Sequence, residues 1–327
     1  MSRPTVTQIG YFGKIPSRGD FIKHGDNPAL LKMLDEWLAN AMELMTADAR
    51  WKLTYDALPP LHFAFIGPRR SRAIAGHIAA SSDASSRRFP FLMMGAMEVA
   101  QPAGFVPTSP LVLSRLWNRL DALSMEMRGA AAGAALPAAA AGASIELDLR
   151  GSAYDAAFDD FLGLQTVGAL DALLAPTGFG GSVRQVLLAL GMLLQPVMAS
   201  SSSRLEKSLE LPLPADPLYR NLVAAFWMHL IAPFLARADF ELALFITRIR
   251  GRHALVLGFC GASAQTLHAI MEPQAALEHH IAFDDLAWVE EHADSDYAIK
   301  KASACLAQAN LSLKSAHDTF RAAFIGT

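Results

Sequence analysis

Residues 27 to 45 constrain this chain more than any other stretch. Asn27-Pro28 reads as a helix N-cap followed by proline at the first helical position. Leu30, Leu31, Leu34, Trp37, Leu38, Ala41, Met42 and Met45 then recur at helical spacing. An amphipathic helix of about 20 residues must lay that face on something flat and apolar. Strand candidates flank it. Thr5–Ile9 is a β-like run entering a glycine-rich stretch, and Leu61-His62-Phe63-Ala64-Phe65-Ile66 closes at Gly67-Pro68. Ala73–Ala79 and Phe89–Val99 read as two more strands around a serine-rich loop. The pattern predicts an α/β fold.

Further on, Thr108-Ser109-Pro110 starts a helix running to about Met127. Residues 129–144, GAAAGAALPAAAAGAS, are uncharged and broken by Gly and Pro, and read as a linker. It separates residues 1–128 from residues 145–327, an α+β region able to pack on the same sheet or complete it. In the second part IELDLRG is a short strand, and Val167–Leu174, Val183–Leu194 and Pro217–Ala236 are helices. Phe240–Arg250 and His253–Cys260 form a hairpin around Arg250-Gly251-Arg252. A short helix follows from Ser263 to about Met271. One long helix is expected from about Asp296 to the end. Ile299, Leu306, Leu313 and Phe320 fall at steps of seven, as do Ala302, Ala309, Ala316 and Ala323. This seam suits either packing on the chain's own sheet or a homo-oligomer contact.

Composition narrows the function classes. The chain has 327 residues, 52% hydrophobic and 18% charged, with a net charge of −3. That supports a sizeable core and offers no basic excess for nucleic acid. Two cysteines, Cys260 and Cys305, lie in apolar stretches, which fits a reducing compartment better than a disulfide scaffold. The N-terminus lacks an apolar signal region, and the oily runs Val186–Leu194 and Leu222–Ala236 are too short or interrupted to span a bilayer. A cytoplasmic protein without membrane insertion is expected.

No catalytic set emerges. Gly261-Ala262-Ser263-Ala264-Gln265 lacks the last glycine of a nucleophile elbow, so Ser263 reads as a helix cap. Gly178–Ser182 opens a helix without a preceding strand, unlike a dinucleotide fingerprint. Glu278, His279, His280, Asp284, Asp285, Glu290, Glu291 and His292 are rich in metal-ligating types but lack a metalloprotease order. His62, His77, His229 and His253 sit on strand or helix patterns as core-edge residues. No cofactor is expected.

The stretch GYFGKIPSRGDF, residues 10–21, remains. Gly10 and Gly13 are too close for a phosphate loop, Ile15 follows Lys14, and Pro16 removes an N–H. Taken alone it reads as a strand ending in a glycine-rich turn, with Phe12, Ile15 and Phe21 pointing into a core. The stretch resembles the N-terminal signature G-W-F-G-K-x-P-x-R-G-D-F of the TagF (ImpM-like) type VI secretion-associated family. Gly10, Phe12, Gly13, Lys14, Pro16, Arg18, Gly19, Asp20 and Phe21 match, with Tyr11 in place of Trp. A second family motif, G-x-x-x-P-S-x-D-x-x-G-R-x-F-P, is met in GHIAASSDASSRRFP by Gly76, Ser81, Asp83, Arg87, Phe89 and Pro90. Ala80 replaces its proline and Ser86 its second glycine. Clear resemblance covers residues 5 to 100.

The resemblance implies a layered α/β/α sandwich around a mostly antiparallel sheet, with additional helices in the second half. It implies a non-catalytic cytoplasmic accessory protein of a type VI secretion system, repressing it after translation by binding a forkhead-associated-domain scaffold. Lys14, Arg18, Gly19, Asp20, Asp83 and Arg87 are the motif residues expected at an interaction site, and the two motifs are expected to meet at one end of a sheet. Rival readings are a hydrolase using Ser263 or the 278–292 cluster, and an oligomer-forming structural component.

Overall fold

A computed structural model describes residues 5–132, 142–199, 205–236, 239–293 and 296–326. Most of the expected linker, residues 133–141, lies outside them. Ten strands form one sheet: β1 (Thr5–Gly13), β2 (Ile22–His24), β3 (Leu61–Ile66), β4 (Arg72–Ala79), β5 (Phe91–Glu98), β6 (Ser144–Leu147), β7 (Ser208–Pro212), β8 (Leu242–Ile249), β9 (Arg252–Gly258) and β10 (His280–Ala282). The order is β10-β7-β9-β8-β3-β4-β5-β1-β2, with β6 pairing β1 beside β2. Among the described residues, every strand pairing is antiparallel except that of β10 with β7. The fold is α/β, as expected.

Helices cover both faces, which is why the central strands read as continuous apolar runs. Alternation sorts their side chains. Leu61, Phe63, Phe245 and Val256 face the smaller core, with Leu34, Trp37, Leu38 and Met42 of the Pro28–Met45 helix. Ala64, Ile66, Ala75, Leu244, Ile246 and Leu255 face the larger core, under helices Ser114–Arg128, Val183–Ala199 and Pro217–Leu235. The Pro217–Leu235 helix is long and apolar enough to cross a membrane by length and composition. Here Val223–Met228 are wholly buried and the helix packs against Pro102–Val112.

Strands β8 and β9 join through Arg250 and Gly251, at φ +51° and +80°. Two consecutive left-handed residues make the tight hairpin turn whose twist matches its strands. Asn27 caps the Pro28–Met45 helix by accepting from the Leu30 N–H at 3.0 Å.

Three expectations need correction. The helix expected from Thr108 begins at Pro102 and breaks at Leu113, giving Pro102–Val112 and Ser114–Arg128. Pro110 cannot donate to the Val106 carbonyl, and Ser109 Oγ donates to it instead at 2.8 Å. The terminal helix is two helices, Tyr297–Leu306 and Leu313–Phe324. Ser312 caps the second, accepting from Ser315 N–H at 3.1 Å, and the Ala309 carbonyl receives Gly168 N–H instead of continuing a helix. The seven-step rows therefore cross a turn, and Ala302, Leu306, Leu313, Ala316 and Phe320 are buried within this chain. Phe21, expected inside, is 43% exposed.

A candidate interaction site at one end of the sheet

β1 reaches its partner β5 through the pairs Phe12↔Leu92 and Gly13↔Phe91. Gly13 has φ +132°, and a Cβ there would lie 2.1 Å from the Pro90 carbonyl oxygen. Only glycine fits so close an approach in that conformation. The crossing brings residues 14–21 beside the loop of residues 80–90.

Lys14, next in the chain, turns inward. Its Nζ donates to Asp83 Oδ2 at 2.9 Å, with side chains 9% and 0% exposed. The same ammonium lies 4.9 Å from the centre of the Phe21 ring, a cation–π contact. Asp83 Oδ2 also accepts from Arg87 Nε at 2.7 Å, and Oδ1 accepts from the backbone N–H groups of Ser85 and Arg87, each at 2.9 Å. Asp83 and Arg87 thus meet directly without a helix, because the carboxylate folds the loop around itself. Burial pushes the Asp83 carboxyl up, but hydrogen bonds from Lys14, Arg87 and Ser85 outweigh it and hold the group well below the usual carboxylate range.

Two contacts tie the loops together from outside. Arg87 Nη2 donates to the Gly19 carbonyl and Ala84 N–H to the Arg18 carbonyl, both at 2.7 Å. Ser86 has φ +61°, a left-handed conformation in a non-glycine residue. This is the position at which the second motif carries glycine, so the substitution keeps a turn that glycine would adopt at lower cost, by about 1 kcal/mol. Phe12, Phe21 and Phe89 form a triad with centroids 4.9 to 5.8 Å apart.

The six motif residues divide by position. Lys14 and Asp83 are interior and hold the loops together. Arg18 is half-buried and Gly19 and Asp20 are exposed. Arg87 links the two sets, its side chain 61% exposed. A Cβ on Gly19 would meet nothing within 4 Å, so the turn does not require glycine there. Asp20 accepts from the neighbouring Phe21 N–H at 2.8 Å. Sequence reading missed two supports. Tyr55 Oη donates to the Ser81 carbonyl and accepts from Ser81 N–H, both at 2.9 Å. Arg88 makes a two-pronged contact with Asp56, at 2.8 and 2.6 Å. Neither pair has a spacing that a sequence pattern would flag.

The residues behind the rival readings are dispersed. Ser263 Oγ caps its helix, accepting from Thr266 N–H at 3.3 Å, and its carbonyl accepts from Trp37 Nε1 at 3.1 Å. The open groove beside it is lined by Asn40, Glu43, Leu44, Ala47, Ala264 and Gln265, without a histidine among the described residues. In the 278–292 stretch His280 faces Glu210, Asp284 meets Arg250 and Arg252, and Glu290 meets Arg184. Among the described residues no three His, Cys, Asp or Glu converge. His62 and His77 touch through their Nδ1 atoms at 3.2 Å, and burial pushes them down to about 4 and about 3.

The family described as "TagF N-terminal domain, Type VI secretion system-associated" matches residues 10–141. No curated protein matches the chain. One similar solved structure is the crystal structure of PA0076 from Pseudomonas aeruginosa PAO1, at 24% identity and a TM-score of 0.31. The match covers 38% of this chain and 56% of that one. Both motifs fall inside the family match and meet at one end of the sheet, so residues 10–141 are similar to a type VI secretion system-associated TagF N-terminal domain.

Proposed function

We propose that this protein is a non-catalytic cytoplasmic regulator that represses a type VI secretion system after translation. It acts by stoichiometric binding to a forkhead-associated-domain scaffold, through the surface that the two motifs build. One observation carries the reading: the motif residues separate into a buried clamp, Lys14 with Asp83, and an exposed rim, Gly19, Asp20, Phe21 and Arg87. A clamp that only built the fold would need no such rim. Phe21 supplies an aromatic anchor and Asp20 and Arg87 a polar border, the composition favoured at binding surfaces.

Asp20→Ala and Phe21→Ala test it by titration against the purified scaffold domain. Asp20 reaches only its own loop, so the variant should melt like the parent and bind about tenfold more weakly or worse. Full binding by a folded double variant would remove the rim from the interface. Repression at amounts far below those of the scaffold would contradict stoichiometric action and favour an enzyme.

A further inference from the structure

A row of basic side chains lies at one end of β3, β8 and β9, on the face of the larger core. His253 is the cross-strand partner of Arg248. His62 partners Ile246, two residues before Arg248. Alternation places His62, Arg248 and His253 on one face, with Ala64, Ile246 and Leu255. Arg220, near the start of the Pro217–Leu235 helix, reaches the same place. Its Nη2 lies 3.3 Å from His253 Nε2, its Nε donates to the Pro214 carbonyl at 3.3 Å, and Nη2 also donates to the Ala215 carbonyl. For Nη2 to donate to Nε2 the imidazole must be neutral. Among the described residues, Arg220 Nη1 and the whole Arg248 guanidinium have no hydrogen-bond or ion-pair partner.

Among the described residues no carboxylate forms an ion pair with Arg220 or Arg248. Asp216 is the acid that bears on Arg220, and its Oδ1 is engaged by Leu218 N–H at 2.9 Å. Burial and the charges of Arg220 and Arg248 drive His253 down to about 4. Burial, then Arg248, lowers Arg220, whose charge also bears on His62. Elsewhere Arg87, Arg88, Arg184, Arg250 and Arg252 each meet a carboxylate, whereas Arg220 sits against Arg248 and a neutral imidazole. Like charges gathered around one point, with donors left open, are an arrangement that an anion would relieve.

We propose that Arg220, Arg248 and His253 form a binding site for a phosphate group. A tetrahedral oxyanion suits the open Arg248 guanidinium, which can grip it through an edge of paired N–H groups, with Arg220 Nη1 as a further donor. The group belongs either to free phosphate or to a phosphorylated side chain. The inference does not rest on the secretion-system reading.

The test uses the full chain and the Arg248→Gln variant, melted in sodium phosphate and in sodium chloride at matched ionic strength. Wild type should show a saturable rise in melting temperature with inorganic phosphate, and Arg248→Gln should need at least about tenfold more. Without phosphate, the variant should melt at or above wild type, because it removes repulsion. A second arm compares a glycine-flanked phosphoserine peptide with its unphosphorylated twin. Tighter binding of the phosphopeptide than of inorganic phosphate assigns the site to a modified side chain; equal or weaker binding assigns it to the free anion. No saturable response to either probe, an unchanged response in Arg248→Gln, or a variant that melts lower without phosphate would overturn the proposal.

Discussion

Replacing Lys14 with methionine asks whether one buried charge pair holds the two motif loops together. Methionine keeps most of the stem and its packing on Phe21 while removing the ammonium. The pair is 2.9 Å long and almost fully enclosed, so water cannot take the place of the lost partner. Two magnitudes compete. Orphaning a buried charge costs about 3–5 kcal/mol. Losing one hydrogen bond to a charge that stays otherwise satisfied costs about 1.5–3 kcal/mol. Asp83 retains the Arg87 guanidinium and two backbone N–H donors, so the second case governs. Lys14→Met should therefore lower stability by about 2 kcal/mol.

A double-mutant cycle separates the pair from its surroundings. Lys14→Met combined with Asp83→Asn should be less destabilised than the sum of the single variants, because each removes what the other needs. Urea unfolding followed by tryptophan fluorescence and by circular dichroism gives the numbers, and coincident transitions check that two states suffice. A Lys14→Met variant within about 0.5 kcal/mol of wild type, the range of ordinary surface substitutions, would refute the account. Strict additivity in the cycle would refute it as well.

Two further outcomes can be read by melting and unfolding. Gly13→Ala forces a Cβ to within 2.1 Å of a backbone oxygen at φ +132° and should cost about 3 kcal/mol or more, whereas Gly19→Ala should change nothing measurable; equal shifts in the two variants would contradict the steric argument. His62 and His77 are neutral in the fold, at about 4 and about 3 against about 6.5 unfolded, so the unfolded chain binds protons first and stability falls as pH drops from about 6.5 toward 4. The slope is up to about 1.4 kcal/mol per pH unit for each histidine, and a level stability between pH 7 and pH 5 would contradict it.

What the sequence disclosed followed the range of the forces involved. The Pro28–Met45 helix and the β8–β9 hairpin are set by neighbours three to four residues away or by a two-residue turn, and both were legible. The terminal helix was misread because a seven-step apolar row survives a helix–turn–helix when the turn has a suitable length. The local signal was Ser312, a cap that the periodicity concealed. At the site, Asp83 and Arg87 were legible as a pair four residues apart, yet Lys14 could not be assigned to Asp83. That contact spans 69 residues and depends on the approach of Gly13 to Pro90. Phe21 was placed inside because its ring is apolar; Phe12, Phe89 and the Lys14 ammonium cover it only in part, and 43% of the residue stays exposed.

A sequence match that ends at residue 141 does not mark where the physical support of the motifs ends. β3 is paired on one side by β4 and on the other by β8, which lies a hundred residues beyond that boundary. Trp37 packs on Phe63 and Phe245 together, and its indole N–H is satisfied by the Ser263 carbonyl. Without the second half, β3 would present an unpaired edge and Trp37 a buried donor without an acceptor, each a recognised source of instability or aggregation. The same continuity has a geometric consequence. Lys14 follows the end of β1, and antiparallel pairing brings the end of β4, the start of β3 and the end of β8 to the same end of the sheet. From β1 to β8 there are four strand spacings, about 19 Å. The motif rim and the Arg220–Arg248–His253 cluster therefore share one end of one sheet, within reach of a single partner of ordinary size.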